Sequence, residues 1–278
     1  MAVVAQSSDV LKPAPGQMLA DESWLAARIA DLNASWRTDS MRVGATLWWC
    51  MTASALVEPV VRALARETPI AAPELHRLEL TLRPDGTVER IRILDADADA
   101  DADAERSGHR HPAGSRTPGD RADGTPVVRS SDPPDSEESA ATVHARPRDG
   151  AAHTRTGDEV SPEFGEVPRA LRATLSTVID RIAAVSGVRT PALWAVVTDV
   201  VASWAVDARA PEIGQRLAAE LGPGLPAPRF IDVAGRIFVR RASCCLVYEA
   251  PGCEKCVSCP KRPPAERAAL LADYARRS

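Results

Sequence analysis

A long stretch in the middle of the chain limits what the rest can fold into. Residues 95–160 contain no aromatic residue and no Leu, Ile or Met, and they begin with an unbroken Asp-Ala repeat. The stretch holds 15 acidic residues and 8 arginines, which leaves it a net charge of −7. Because this composition buries too little apolar surface to offset the entropy of ordering, we predict a disordered acidic insert rich in Asp, Ala, Ser and Pro. Any core must then form from residues 1–94 and 161–278.

The part before the insert predicts two helices. Asp21 is a suitable N-cap for a helix with one apolar stripe, formed by Leu25, Ile29, Leu32 and Trp36. Ser40 begins a second, more fully apolar helix, which Pro59 is expected to kink or end. Aromatic residues make up only 4% of the chain, so the core must be built mainly from Ala, Val and Leu, which favours helices.

A β-hairpin is predicted directly before the insert. Residues 78–82 alternate between apolar and polar side chains, 84–86 form a Pro-Asp-Gly turn, and 91–94 continue as a second strand. Two strands alone are marginally stable, so we expect them to pack on the helices.

After the insert the pattern is helical again. Pro168 and Pro191 are each expected at the first position of a helix, and shorter helices follow at 211–221 and 264–277, with an extended segment at 230–239 between them. The predicted class is therefore α+β, with a helix-rich domain, a β-hairpin and an acidic insert.

Five of the six cysteines crowd into a short segment near the C-terminus. Cys244, Cys245, Cys256 and Cys259 follow the spacing C-C-x10-C-x2-C. Four thiolates are the usual ligand set of a 2Fe-2S cluster, because each iron needs two soft, anionic donors besides the bridging sulfides. We therefore predict that these four residues are the cofactor and metal ligands. The predicted organisation is 1–94 for the N-terminal helices and hairpin, 161–228 for the helical remainder of the same domain, and 229–278 for the cluster segment.

Other interpretations of the cysteines stay open at this point. A zinc site can use the same four thiolates, although zinc ribbons usually repeat the C-x2-C pair, and a redox disulfide is a third alternative. Cys253 lies three residues before Cys256 and can replace a ligand. Cys50 lies between Trp49 and Met51, where a small buried thiol is the ordinary interpretation.

At these residues the chain resembles the FhuF-like ferric siderophore reductases. The resemblance is specific over residues 240–262 and includes the Arg-Arg pair before the cysteines, Tyr248, and Pro251 with Gly252. The early helices and the helix around Trp194 are similar to the family in pattern. The acidic insert departs from the family pattern, as does Cys253, where a glycine is more usual, and Ala195 with Val196, where the family often has Gly-Asn.

The resemblance implies a 2Fe-2S ferric siderophore reductase. Such an enzyme passes one electron to a ferric siderophore, expected here to be of hydroxamate type, so that ferrous iron leaves its chelator in the cytoplasm. The alternative is a non-catalytic iron-sulfur sensor or electron-transfer partner. Arg240, Arg241, Lys255 and Lys261 are candidates for contacting a siderophore or an acidic electron donor.

The net charge and the sequence motifs limit the kinds of partner that we expect. No G-x-G-x-x-G follows a strand, so electrons are expected from an external donor protein of ferredoxin or flavoprotein type. A net charge of −4 gives no reason to expect nucleic acid. The N-terminus lacks a basic region typical of secretion signals, and the apolar run at 43–57 is shorter than a membrane span. We therefore expect a cytoplasmic protein with at most peripheral membrane association.

Overall fold

The computed structural model describes residues 13–95 and 162–277, with side chains from residue 165 onward in the second range. Six α-helices and two small antiparallel sheets make up the described part, so the predicted α+β class is confirmed. The predicted acidic insert at 95–160 lies, except for Asp95, outside the described residues. Its disorder therefore remains a prediction.

The helices and strands follow one another in two groups. Before the gap the order is β1 (Ala14–Pro15), α1 (Glu22–Trp36), α2 (Met41–Ala65), β2 (Leu78–Leu82) and β3 (Val88–Ile93). After it come α3 (Pro162–Ser186), α4 (Thr190–Asp207), α5 (Pro211–Glu220), β4 (Phe230–Val233), β5 (Arg236–Val239) and α6 (Pro264–Arg277). Short 3₁₀ turns occupy Gly16–Ala20, Leu75–Arg77 and Val247–Glu249.

The predicted hairpin is confirmed as β2 and β3, and β1 adds a third antiparallel strand. Gly86 makes the turn between them with a left-handed φ of +79°. The indole Nε1 of Trp48, a fully buried side chain of α2, donates to the carbonyl oxygen of Gly86 at 3.0 Å. This bond fixes the turn to the helical core.

The predicted N-caps of α1 and α2 are both confirmed. An Asp21 carboxylate oxygen accepts from the amide of Trp24 at 2.8 Å, and the Ser40 hydroxyl accepts from the amide of Val43 at 3.3 Å. These bonds satisfy amides that have no partner inside the helix.

Of the three prolines expected to mark helices, Pro168 differs from expectation, and for Pro59 only the alternative of a helix end is wrong. The helix α2 does not end at Pro59 but continues to Ala65, since the turn that follows is buried at Val60, Val61 and Leu64. Burial of these side chains offsets the single backbone hydrogen bond that the proline removes. Pro168 is not the first residue of its helix, because α3 begins at Pro162. The expected start at Pro191 is confirmed, since this proline lies in the first turn of α4.

The central contact of the fold joins α2 to α4. Trp49 of α2 is fully buried and donates from Nε1 to the carbonyl oxygen of Leu193 at 3.0 Å. Trp204 of α4 donates in the opposite direction, to the carbonyl oxygen of Ser54 at 3.1 Å. Two indole bonds at separate points hold the helices in one register. The first residues of α4 therefore lie beside the N-terminal half of α2.

The segment predicted as extended at 230–239 is a hairpin of β4 and β5. Its turn uses Ala234 and Gly235, both with positive φ. The terminal helix α6 occupies the predicted range and buries Leu271, and Tyr274 meets the ring of Phe238 edge-on at 6.1 Å. Among the described helices, none has both the length and the apolar content needed to cross a bilayer.

We expect Gly86→Ala to destabilise the protein more than Gly235→Ala. Both glycines have a φ of +79°, so each substitution costs about 1 kcal/mol for the left-handed backbone. A Cβ at Gly86 would also lie 2.8 Å from the carbonyl oxygen of Arg28, whereas nothing lies within 4 Å at Gly235. Urea unfolding of samples with equal iron content should show that Gly86→Ala lowers the free energy of unfolding by about 1–2 kcal/mol more than Gly235→Ala does. Equal losses would contradict the tight contact.

Candidate metal centre

The cysteine segment is a loop between two regular elements. The β4–β5 hairpin ends where the amide of Arg240 donates to the carbonyl oxygen of Arg229 at 2.8 Å, and α6 begins at Pro264. Between them the backbone makes only short turns, so contacts from other parts of the fold must position the thiols.

A buried carboxylate on α4 holds the backbone immediately before the adjacent cysteines. Asp199 is 3% exposed, and its two oxygens accept from the amides of Ala242 at 2.7 Å and Ser243 at 2.8 Å. The Ser243 hydroxyl donates to the same carboxylate at 2.6 Å. A buried carboxylate is stable only when donors surround it, so these bonds are strong constraints on the loop. Asp199 therefore positions the chain at the point where it reaches Cys244.

Arg241 connects this carboxylate to the thiols. Its Nε lies 3.5 Å from an oxygen of Asp199, and its Nη1 lies 3.9 Å from Sγ of Cys256. Burial of the guanidinium lowers its pKa, but the carboxylate and the neighbouring thiols outweigh burial and raise the pKa of Arg241 above its ordinary value. The side chain therefore stays cationic beside the cysteines. Arg241 was a candidate for contacting an external ligand, yet the structure turns it inward.

Cys244 and Cys259 form the closest thiol pair. Their Sγ atoms are 3.7 Å apart, and Cys259 is 1% exposed. The amide of Leu246, a buried residue with a left-handed φ of 63°, lies 3.5 Å from Sγ of Cys244. Burial, followed by the presence of Cys259, raises the pKa of the Cys244 thiol to about 11 although the Leu246 amide lowers it.

The C-x2-C pair is held by a tight turn. The amide of Cys259 donates to the carbonyl oxygen of Cys256 at 3.1 Å, and Arg262 closes the turn from outside. The Arg262 Nε donates to the same Cys256 carbonyl oxygen at 2.9 Å. Backbone and guanidinium together set the direction in which the two thiols leave the turn.

Cys245 packs against the helical core, as Cys244 does. Cys50 of α2 is close enough to interact with it: burial, and next the neighbouring Cys245, raises the pKa of the Cys50 thiol to about 12. Cys253 is half-buried, and its amide donates to the carbonyl oxygen of Ala250 at 3.2 Å. No hydrogen bond or thiol contact of the Cys253 side chain occurs in the described part of the chain.

The cysteines of this segment are suitable ligands for a thiolate-bound metal, and one pair of their sulfur atoms has a suitable separation. Two thiolates on one tetrahedral metal ion lie roughly 3.8 Å apart when each metal–sulfur bond is about 2.3 Å. The 3.7 Å between Cys244 and Cys259 matches that edge. Within 13–95 and 162–277, no three His, Cys, Asp or Glu side chains lie close enough together to hold a metal ion.

Comparison with known proteins identifies the type of centre. Residues 241–261 match the family model described as the FhuF 2Fe-2S C-terminal domain, and this range contains all four predicted ligands. The match indicates a 2Fe-2S cluster, so the predicted cofactor is confirmed and the resemblance to the FhuF-like family is supported. No curated protein and no solved structure matches the chain. Which cysteines bind the irons stays a prediction.

We expect Ser substitution at Cys244, Cys245, Cys256 or Cys259 to remove or severely alter the cluster. A hard hydroxyl is a poor replacement for a soft thiolate. Cys253→Ser is the matched control and should leave iron content and the reduced-state paramagnetic resonance spectrum nearly unchanged. Loss of the cluster in Cys253→Ser together with its retention in Cys256→Ser would show that the ligand assignment is wrong.

Asp199→Asn should weaken cluster retention without touching a cysteine. Asn keeps one acceptor oxygen, but its NH₂ faces either the amide of Ala242 or the amide and hydroxyl of Ser243, so the donors on that side lose their acceptor. We expect a stability loss of about 3 kcal/mol and faster iron release to a chelator. Asp207→Asn, at the exposed end of the same helix, is the control. Equal iron release from both variants would contradict the positioning role.

Proposed function

Because residues 241–261 match an FhuF-type 2Fe-2S domain, we propose that the protein is a ferric siderophore reductase. In this proposal it passes one electron to a ferric siderophore of hydroxamate type, and ferrous iron is released in the cytoplasm. The electron comes from an external donor protein of ferredoxin or flavoprotein type. Any membrane association is peripheral, and nucleic acid is not a partner.

The observation that carries the proposal is the position of Cys244 at the wall of a cavity. This cavity has a volume of about 640 Å³, within the range of roughly 300–1,000 Å³ that is typical of small-molecule sites. A predicted cluster ligand and the space for a chelate are thus adjacent. A storage or sensing cluster requires no such cavity beside its thiols.

The bound cluster supplies a one-electron carrier whose potential depends on nearby charge, hydrogen bonds and exposure. The chain's own residues have three roles in this proposal. Cys244, Cys245, Cys256 and Cys259 hold the irons. Arg241 supplies a positive charge beside the thiolates, and Asp199 holds the loop in place. The burial of Cys259 keeps water from one side of the centre.

The chemistry of iron explains why one electron is sufficient. Ferric ion is hard and trivalent and is held tightly by oxygen donors, whereas ferrous ion binds the same oxygens less strongly. One electron taken up by the ferric ion therefore loosens the chelate. No bond to the protein has to form or break, and no general acid or base is needed.

The test is turnover with a defined ferric hydroxamate. Protein reduced anaerobically is mixed with the ferric complex of desferrioxamine B, and cluster absorption is followed together with capture of ferrous ion by a ferrous-specific chelator. We expect one ferrous ion per reoxidised cluster and repeated turnover when a photochemical reductant keeps supplying electrons. The gallium complex is the control, because gallium(III) cannot accept the electron. A cluster that stays reduced with the ferric complex would overturn the proposal and favour the sensor.

A further inference from the structure

The walls of the cavity beside Cys244, here called the Cys244 cavity, come from α2, the loop between α3 and α4, the first turns of α4, and the cysteine segment. The N-terminal turn of α2 contributes Arg42, and the loop between α3 and α4 contributes Arg189. The cysteine segment contributes Cys244 itself and Lys261. The remaining lining is mostly small or apolar. Residues far apart in sequence thus meet at one concave surface next to a predicted cluster ligand.

The charged residues that line this cavity are all cationic. Arg42, Arg189 and Lys261 are lining residues, and no carboxylate is among the described residues of the wall. Arg42 forms an ion pair with Glu249, with 2.6 Å between Nη2 and Oε2. Glu249 itself does not line the cavity. The side chains of Arg189 and Lys261 make no hydrogen bond or ion pair with any described residue. Two positive charges are therefore uncompensated at the cavity.

Arg189 and Lys261 differ in role from Arg241, the cation beside the thiols. Arg241 is largely buried and is neutralised by Asp199 while it contacts Cys256, so its charge serves the centre. Arg189 and Lys261 are exposed at the cavity, where a ligand meets them. Without them the thiolate-rich centre would repel an approaching anion. With them, cations concentrated in one concavity attract an anion and disfavour a cation.

We propose that the Cys244 cavity binds the ferric chelate and that Arg189 and Lys261 select complexes with a net negative charge. This inference rests on the proposed function and narrows its substrate class. Three hydroxamates neutralise ferric ion, so a net negative hydroxamate complex carries a further carboxylate. Arg189 offers a planar pair of donors suited to that carboxylate, and Lys261 adds a point charge.

A matched ligand series isolates charge from iron coordination. Desferrioxamine B binds iron or gallium through three hydroxamates and keeps a terminal amine, so its complex has one positive charge. Acetylation of the amine makes the complex neutral, and succinylation gives it one negative charge. The coordination of the metal is the same in all three. Gallium complexes measure binding alone, and ferric complexes measure reoxidation of the reduced cluster.

Two double variants are compared. The cavity variant carries Arg189→Gln and Lys261→Gln, and the control variant carries Arg66→Gln and Arg90→Gln. Both pairs remove two exposed positive charges. Arg66 lies just past the end of α2 that is opposite to Arg42, and Arg90 lies on β3, so neither lines the Cys244 cavity. Iron content and thermal unfolding confirm that each variant is folded and loaded before binding is measured.

We expect wild-type protein to bind the succinylated gallium complex about tenfold more tightly than the amine complex, and added salt to reduce this preference. The cavity variant should bind the three complexes within about twofold of one another, while the control variant keeps the wild-type order. Equal affinities in wild type would overturn the inference, as would the same loss in the control. Salt dependence in wild type still tests the inference if the cavity variant loses its cluster.

The two proposals fail in different measurements. If the gallium complexes show the charge preference but none of the ferric complexes reoxidises the cluster, the binding site stands and the reductase function is wrong. If ferric complexes reoxidise the cluster at rates that do not depend on their charge, and gallium binding shows no preference, the reductase function stands and the selection by Arg189 and Lys261 is wrong.

Discussion

The carboxylate of Asp199 is the interaction on which the arrangement of the cysteine segment depends. It lies inside the most apolar part of α4, where an isolated charge would be very costly, and it is stable there because backbone amides and a hydroxyl of the cysteine segment surround it. The same bonds place Cys244 against the helical core. The loop otherwise contains only short turns, so its position is determined by a residue outside it.

The helices give that carboxylate a defined location. Indole bonds from Trp49 and Trp204 lock α2 and α4 in register, and Asp199 lies between these two contacts along α4. The same register brings Arg42 at the start of α2 close to Arg189 at the start of α4. The helical part of the fold thus positions Arg241 beside the thiols, through Asp199, and also forms much of the wall of the Cys244 cavity. Large apolar side chains therefore set the positions of the polar ones.

Local patterns in the sequence predicted local structure well. The caps at Asp21 and Ser40 and the turn at Gly86 each depend on residues only a few positions apart, so a single sequence is enough to predict them. The role of Asp199 was missed, because its partners lie more than 40 residues later and a lone acidic residue in an apolar helix does not name them. Pro59 did not end α2, because burial of the following turn outweighed the local preference.

The distance along the chain between Asp199 and the residues that it holds has a consequence for assembly. Ala242 and Ser243 are held only after the cysteine segment has folded back onto α4, so the thiols of a newly made chain lie on an unanchored loop until then. Iron delivered before that moment meets scattered thiols, and iron delivered after it meets a preformed pair. Maturation of the centre is thus coupled to completion of the fold, and a chain with a defective helical core should emerge without its metal even when every cysteine is intact.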